Sequence, residues 1–177
     1  MVSLFRTEQR VAVVQPTGTG KSYLIMQLIE DNADKRFVVC SPSTYIFEQM
    51  KSLKDENSIS LENTDFLTYT KLAQTDAFSE YNYIVLDEFN RCGADEWGQG
   101  VQRLLDGNPS AKVFGTSATP KRYLDSGRNM ADELFNGVYA VNMSLAEAIR
   151  RNILPLPVYV ISWYSFRGDI EQLEGVI

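Results

Sequence analysis

The stretch Val11-Ala-Val-Val-Gln-Pro-Thr-Gly-Thr-Gly-Lys-Ser22 decides the fold of this chain. Its apolar start predicts a buried strand, and the glycines after it predict a tight loop that leads into a helix. Such a loop directs its backbone N–H groups at a phosphate, and a helix that begins near Ser22 adds a positive N-terminal end. Lys21 can then supply a charge for the outer phosphates, and Ser22 a hydroxyl for Mg²⁺. The stretch therefore predicts a site for a nucleoside triphosphate.

Gln15 departs from the general pattern G-x-x-x-x-G-K-[ST], which has glycine at this position. Taken alone, the stretch also fits a glycine-rich turn without a ligand, because short patterns match by chance. We predict that the whole loop contacts the nucleotide, through Gln15, Pro16, Thr17, Gly18, Thr19, Gly20, Lys21 and Ser22.

The composition limits the kind of protein. The chain has 177 residues, of which 44% are apolar, and these values predict one domain with a proper core. It has neither a long apolar run nor an apolar segment at its N-terminus, so we expect a cytoplasmic protein without a membrane span. Cys40 and Cys92 lack C-x-x-C spacing and are expected to be reduced, buried thiols.

Histidine content and net charge limit the kinds of metal site, catalytic site and nucleic-acid contact that this chain can have. The chain has no histidine, which excludes histidine-based metal sites and catalytic triads and leaves an oxygen-bound metal such as Mg²⁺. The net charge of −6 argues against a strong nonspecific affinity for nucleic acid, but it permits local contacts with phosphates.

Strand-like and helix-like segments alternate along most of the chain. Strands are predicted at 10–15, 36–40, 65–69, 83–87 and 112–115. Helices are predicted at 22–31, 44–53, 71–74 and 95–105, the last with Asp95 as its N-cap. This alternation predicts an α/β fold with a mainly parallel sheet covered on both faces. In such sheets, ligands bind beyond the carboxyl ends of the strands.

The last third of the chain has a weaker pattern. It predicts helices at 130–135 and 144–151, the second with a capping box of Ser144 and Glu147. A late strand is predicted at 158–163.

Two carboxylates end the apolar strand predicted at 83–87. Asp87 would lie beside the phosphate loop and hold Mg²⁺, directly or through water. Glu88, one residue further, would orient or deprotonate the attacking water. An acidic strand end is common by itself, but its pairing with Lys21 and Ser22 at one edge of a parallel sheet is specific.

Five segments in order resemble the first RecA-like lobe of superfamily 2 helicases, the DEAD/DEAH-box group. The segment from Gln15 to Ser22 is similar to motif I, and Ser41-Pro42-Ser43 to motif Ia. Thr68-Tyr-Thr-Lys-Leu72 resembles the Ib region, Asp87-Glu-Phe-Asn90 motif II, and Ser117-Ala-Thr119 motif III. The stretches 91–97 and 145–155 further resemble bacterial helicases related to the res subunits of type III restriction enzymes. The resemblance implies a RecA-like P-loop NTPase, a three-layer sandwich.

The resemblance also implies a role for each matching position. The catalytic residues would be Lys21, Asp87 and Glu88, with Ser22 and Asp87 on Mg²⁺. The residues that couple the nucleotide to nucleic acid would be Asn90, Ser117 and Thr119. The residues that contact one nucleic-acid strand would be Pro42, Ser43, Thr44, Thr68 and Thr70. Hydroxyls and backbone N–H groups can bind phosphates without a basic patch, which agrees with the acidic composition.

Three features depart from the family pattern. Asn90 stands where the family usually has His or Asp, so coupling to nucleic acid is in question. The family often reads adenine with a glutamine about one helix upstream of motif I, but Gln9 lies only 12 residues before Lys21. Either the upstream helix is cut away, which we expect, or base recognition is absent. The family also needs an arginine finger from a second RecA-like lobe, for which residues 123–177 are too few.

We therefore expect residues 1–177 to be a single ATP-binding domain, a fragment in which 141–177 extends toward a second lobe. The leading hypothesis is a helicase or translocase lobe that binds ATP, ADP and Mg²⁺ and acts on DNA, with RNA as the alternative. We expect it to hydrolyse ATP weakly by itself. Two other hypotheses stay open, a restriction-type translocase subunit and a non-catalytic nucleotide-binding scaffold.

Overall fold

Six parallel strands form the central sheet of the protein. The structure is a computed structural model that describes residues 5, 7–57, 59–122 and 127–158. The strands of the sheet are β1 (Arg10–Val14), β2 (Phe37–Ser41), β3 (Thr64–Thr68), β4 (Tyr83–Asp87), β5 (Lys112–Ser117) and, later in the chain, β8 (Tyr139–Asn142). Their spatial order is β3-β2-β4-β5-β1-β8, and every neighbouring pair is parallel.

Helices connect these strands. They are α1 (Lys21–Glu30), α2 (Tyr45–Asn57), α3 (Tyr69–Ala73), α4 (Asp95–Gly107), α5 (Met130–Phe135) and α6 (Leu145–Arg150). A 3₁₀ helix, Phe89–Gly93, follows β4, and the short strands β6 (Lys121–Arg122) and β7 (Arg128–Asn129) form an antiparallel hairpin.

The sheet has an apolar core on each face, which is why the inner strands carry continuous apolar runs. Within β1, Ala12 and Val14 belong to one core, while Val11 and Val13 belong to the other. The first core packs against α3, α4 and α5, and the second against α1 and α2. The predicted three-layer α/β RecA-like fold is therefore confirmed.

Gly115 lets α5 approach the sheet closely. A Cβ atom at this position of β5 would overlap the ring of Phe135, which is fully buried. The absence of a side chain at Gly115 therefore provides the space in which the last residue of α5 packs.

Several element boundaries differ from the prediction. The N-cap of α4 is Ala94, which makes no side-chain capping bond, so Asp95 is the first helical residue and the predicted cap is wrong. The negative charge of Asp95 still lies in the first turn of α4, where it interacts favourably with the helix dipole. α2 continues past residue 53 to Asn57.

The capping box at α6 forms only in part. Ser144 accepts a hydrogen bond from the backbone N–H of Glu147 at 3.2 Å. The Glu147 carboxylate pairs with Arg151 one turn further along the helix.

Strand β8 was missed by the sequence pattern because it is short and only half-buried. It pairs with β1, and the backbone N–H of Met143 donates to the carbonyl oxygen of Val14 at 2.8 Å. The predicted boundary at residue 141 therefore falls inside the sheet. The strand predicted at 158–163 lies outside the described residues apart from its first residue.

Candidate nucleotide-binding site

The carboxyl ends of β1, β4 and β5 meet at one edge of the sheet. Val14 pairs with Ser117, and Asp87 pairs with Thr116. The backbone N–H of Gln15 donates to the carbonyl oxygen of Ser117 at 3.0 Å, which fixes the start of the phosphate loop. This register brings the loop and the carboxylate pair together.

Two glycines shape the loop. Gly18 and Gly20 have φ angles of 85° and 88°, in the left-handed region that side chains disfavour. Gly20 directly precedes α1, so the first N–H groups of that helix are open to a ligand. Leu154 approaches from the C-terminal segment, and its Cδ2 would be 3.4 Å from a Cβ at Gly18.

The side chain of Gln15 stabilises this loop through a hydrogen bond to its backbone. Its side chain is buried, with 5% exposed, and its Nε2 donates to the carbonyl oxygen of Thr19 at 3.4 Å. The Thr19 hydroxyl in turn donates to the carbonyl oxygen of Pro16 at 2.6 Å. The glutamine therefore fits the loop where the general pattern has glycine.

Lys21 connects the loop to the carboxylate pair. Its Nζ donates to the carbonyl oxygens of Gln15 at 3.3 Å and Pro16 at 3.5 Å. The same atom lies 3.9 Å from Glu88 Oε1. The ammonium group is thus directed into the site between the loop and strand β4.

Asp87 is a buried carboxylate held by two hydroxyls. Thr116 Oγ1 donates to its Oδ1 at 2.6 Å, and Ser41 Oγ donates to its Oδ2 at 3.3 Å. Burial raises the pKa of Asp87 above its ordinary value, although these hydrogen bonds and the Lys21 charge act in the opposite direction. A buried carboxylate with hydroxyl partners is suited to receive a cation.

Glu88 has a strained backbone and a more open side chain. Its φ angle is 51°, which is rare for a residue with a side chain. About a third of the side chain is exposed (30%), toward the cavity described next. Burial of the remainder and the neighbouring Asp87 raise the pKa of the Glu88 carboxyl above its ordinary value. A raised carboxyl pKa suits a group that accepts a proton from water.

A cavity of about 560 Å³ lies over these groups. Its size is in the range of small-molecule sites in proteins. The loop, Ser22, Asp87 and Glu88 line one side, and α2 lines the other through Ile46, Gln49, Ser52 and Leu53. The hydroxyl of Ser22 and the carboxylate of Asp87 are hard oxygen ligands of the kind that Mg²⁺ prefers, so the residues present fit that metal.

The three predicted coupling residues lie in different settings. The Ser117 hydroxyl donates to the carbonyl oxygen of Thr119 at 2.7 Å and lies 3.5 Å from Glu88 Oε2. Asn90 lies in the 3₁₀ helix after Glu88, and within the described residues its buried Oδ1 has no hydrogen-bond partner. Thr119 is half-buried, and its backbone N–H donates to Ser117 Oγ at 3.3 Å. The structure therefore brings Ser117 next to Glu88 and Thr119 next to Ser117, whereas Asn90 does not line the cavity.

The predicted nucleic-acid contacts lie next to each other at the same edge of the sheet. β2 and β3 pair through Ser41 and Thr68, so the segments that follow these strands are neighbours. Ser43, Thr44 and Thr70 are exposed, while Pro42 and Thr68 are half-buried. Thr68 also has a structural role, because its Oγ1 accepts a hydrogen bond from the backbone N–H of Lys71 and caps α3.

Sequence reasoning missed Ser41 and Thr116 as partners of Asp87. Both are polar residues at the carboxyl end of a buried strand, and this position was the available signal. It also missed Tyr69, whose hydroxyl donates to the backbone carbonyl oxygen of Asp87 at 2.8 Å. No local pattern distinguishes such a tyrosine from one that only fills the core.

A family profile described as an AAA domain matches residues 8–148. The chain belongs to the AAA domain family. The match includes the phosphate loop and the carboxylate pair, so this AAA domain is a P-loop ATPase domain. No curated protein matches the sequence.

Solved structures share the fold of this AAA domain. The helicase domain of Pyrococcus furiosus Hef has a TM-score of 0.57 and 16% identity over 81% of the chain. A nuclease-deletion mutant of the type ISP restriction-modification enzyme LlaGI, bound to a DNA substrate mimic, has a TM-score of 0.60 and 18% identity over 86% of the chain. The AAA domain spans only 37% and 17% of these two chains, respectively.

None of the helices in the described part of the chain has the length and the apolar character of a membrane-spanning helix.

Proposed function

We propose that this AAA domain is the ATP-binding lobe of a helicase or translocase that acts on DNA and hydrolyses Mg²⁺-ATP in a cleft closed by a second lobe. The observation that carries the proposal is the 3.9 Å approach of Lys21 Nζ to Glu88 Oε1 at the rim of one cavity. It joins a phosphate-binding cation and a water-directing carboxylate in a single site.

Each group in the cavity has a separate task. The loop N–H groups and Lys21 would bind the β- and γ-phosphates, and Ser22 and Asp87 would hold Mg²⁺. Bound Mg²⁺ would neutralise charge on the phosphate oxygens. Glu88 would accept a hydrogen bond from the attacking water and then its proton, since its side chain faces the cavity.

The proposal includes a second lobe because negative charge develops on the phosphate oxygens in the transition state. A cation on the side opposite Lys21 is needed to stabilise that charge. In related phosphoryl-transfer sites, an arginine finger contributes roughly 10³–10⁵ in rate. We therefore expect the 177-residue chain to bind Mg²⁺-ATP and to hydrolyse it slowly by itself.

The segments after β2 and β3 are the proposed contact surface for one DNA strand. Ser43, Thr44 and Thr70 expose hydroxyls beside the site, which suits contacts with backbone phosphates. The two solved structures described above are a helicase domain and a restriction-modification enzyme in complex with a DNA substrate mimic, which are proteins of the kind proposed here.

Steady-state ATP turnover of the full-length protein, with and without single-stranded and duplex DNA, tests the proposal. We expect DNA to raise kcat, and we expect Glu88→Gln to lower kcat about 10²–10⁴-fold while Mg²⁺-ATP still binds. Glu30→Gln is a matched control, because Glu30 is exposed at the far end of α1.

One result would contradict the proposal, and another would decide between a helicase and a translocase. A protein that binds Mg²⁺-ATP but shows no turnover with DNA or RNA, so that Glu88→Gln changes nothing, would favour a non-catalytic nucleotide-binding scaffold. Movement along DNA without strand separation would instead identify a restriction-type translocase, which needs the same site residues.

A further inference from the structure

Tyr69 is the first residue of α3 and lies beneath the carboxylate pair. It is fully buried, and its ring stacks on Trp97 with centroids 5.4 Å apart and an interplanar angle of 29°. Its hydroxyl donates a hydrogen bond to the carbonyl oxygen of Asp87 at 2.8 Å. Burial raises the pKa of this hydroxyl well above its ordinary value, so it stays a donor at any ordinary pH.

The hydrogen bond from Tyr69 to the carbonyl oxygen of Asp87 restrains the plane of the Asp87–Glu88 peptide. The carbonyl of Asp87 belongs to the peptide that joins it to Glu88, and the orientation of that peptide defines the φ angle of Glu88. This angle is 51°, a conformation that persists only where surrounding contacts hold it. The Tyr69 hydroxyl is a contact of that kind, because it fixes the carbonyl end of the same peptide.

Tyr69 also connects this peptide with the surface of α3. Its sequence neighbours are Thr68, which caps α3, and Thr70, which is exposed. Both belong to the proposed contact surface for DNA. A shift of α3 on binding a DNA strand would therefore move the tyrosine that holds the Asp87–Glu88 peptide.

We infer that Tyr69 is a positioning residue, which sets the direction of the Glu88 carboxylate and links it to the Thr68–Thr70 surface. The inference rests on the proposed function of Glu88. It differs from a packing role, in which the ring would matter and the hydroxyl would not.

Tyr69→Phe tests the inference in the full-length protein, because it removes the hydroxyl and keeps the ring that stacks on Trp97. Tyr83→Phe is the matched control. Tyr83 is also a buried tyrosine with a hydroxyl partner, Asn32 at 3.0 Å, but it belongs to the core on the opposite face of the sheet.

We expect Tyr69→Phe to lower kcat about tenfold with KM for Mg²⁺-ATP unchanged, and to remove most of the stimulation by DNA. Tyr83→Phe should change neither. In the Glu88→Gln background, Tyr69→Phe should have no further effect, because the carboxylate that it positions is gone. The inference is overturned if both tyrosine variants behave alike, or if Tyr69→Phe lowers the residual rate of Glu88→Gln by the same tenfold factor.

A second readout does not need turnover. In a Trp163→Phe background, we expect Mg²⁺-ATP to change the fluorescence of Trp97, which stacks on Tyr69, and we expect Tyr69→Phe to reduce this change at least threefold. An unchanged amplitude in Tyr69→Phe, or no change in a parent that binds Mg²⁺-ATP by titration calorimetry, overturns the link. Absence of turnover in the parent with and without DNA would instead contradict the proposed function, and the fluorescence result would still decide the role of Tyr69.

Discussion

We expect nucleotide affinity to depend most directly on Lys21. Its side chain is only 10% exposed, and its ammonium group has backbone carbonyls and Glu88 as partners, so this group is already directed at the position that we propose for the phosphates. A hydrogen bond to a charged group contributes about 1.5–3 kcal/mol, which corresponds to about 10–150-fold in affinity.

We expect Lys21→Ala to weaken Mg²⁺-ATP binding by that factor, as measured by titration calorimetry. Lys35→Ala is the control, because Lys35 is half-exposed and pairs with Asp34 on the surface. Equal affinities of the two variants would mean that the loop does not bind phosphate.

Asp87 makes the stability of the folded protein depend on pH. Burial raises its pKa above the ordinary value of 3.8, so the folded state binds this proton more tightly than the unfolded state. Its contribution to stability is therefore greatest below the ordinary value and is lost as pH rises through the raised pKa. At neutral pH the buried charge destabilises the fold.

We therefore expect Asp87→Asn to raise the melting temperature of the nucleotide-free chain at pH 7, with an advantage that shrinks toward pH 4. Asp106→Asn is the control, because Asp106 is exposed on α4. Thermal unfolding across this pH range measures the effect, and a variant that is less stable than the parent at pH 7 would contradict it.

Packing between elements depends on Gly115 of β5. Because a Cβ there would overlap the Phe135 ring, Gly115→Ala should force α5 away from the sheet. Overpacking of this kind destabilises by about 1–3 kcal/mol. The denaturant midpoint measures the loss, and we expect Phe135→Leu in the same chain to recover part of it.

Gly107→Ala is the matched control for Gly115→Ala. Gly107 ends α4, and no atom of another described part of the chain lies within 4 Å of the position of a Cβ there, so alanine should be neutral or slightly stabilising. If Gly115→Ala were as harmless as Gly107→Ala, the close contact between β5 and α5 would be wrong.

At the level of the whole molecule, ligand binding and folding are linked. A nucleotide at 100 times its Kd stabilises the folded state by about 2.7 kcal/mol. For a domain of this size, each kcal/mol raises Tm by about 2–4 °C. We expect Mg²⁺-ATP at this concentration to raise the Tm of the parent by about 5–10 °C, and the Tm of Lys21→Ala by only about 1–5 °C, because the variant binds about 10–150-fold more weakly. ATP with excess EDTA should protect less, because Ser22 and Asp87, which line the cavity, are the proposed ligands of the metal. No shift in the parent would remove the basis for a nucleotide site.

Elements with local signals were predictable from the sequence. The apolar runs of β1 and β4 place the phosphate loop and Asp87 at strand ends, because a strand buried on both faces must be apolar throughout. β8 had no such signal, since it is a short edge strand whose pairing with β1 is long-range.

The sequence by itself determined the chemistry of the site, namely a glycine loop with Lys21 and Ser22, and two adjacent carboxylates. Such properties depend on residue type and on spacing along the chain. Only the tertiary structure decided that Ser41 and Thr116 hold Asp87, that Tyr69 holds its peptide, and that α2 forms a wall of the cavity. The physical reason is that each of these contacts depends on which strand or helix lies alongside and in which register, and this is set by packing between residues that are distant along the chain.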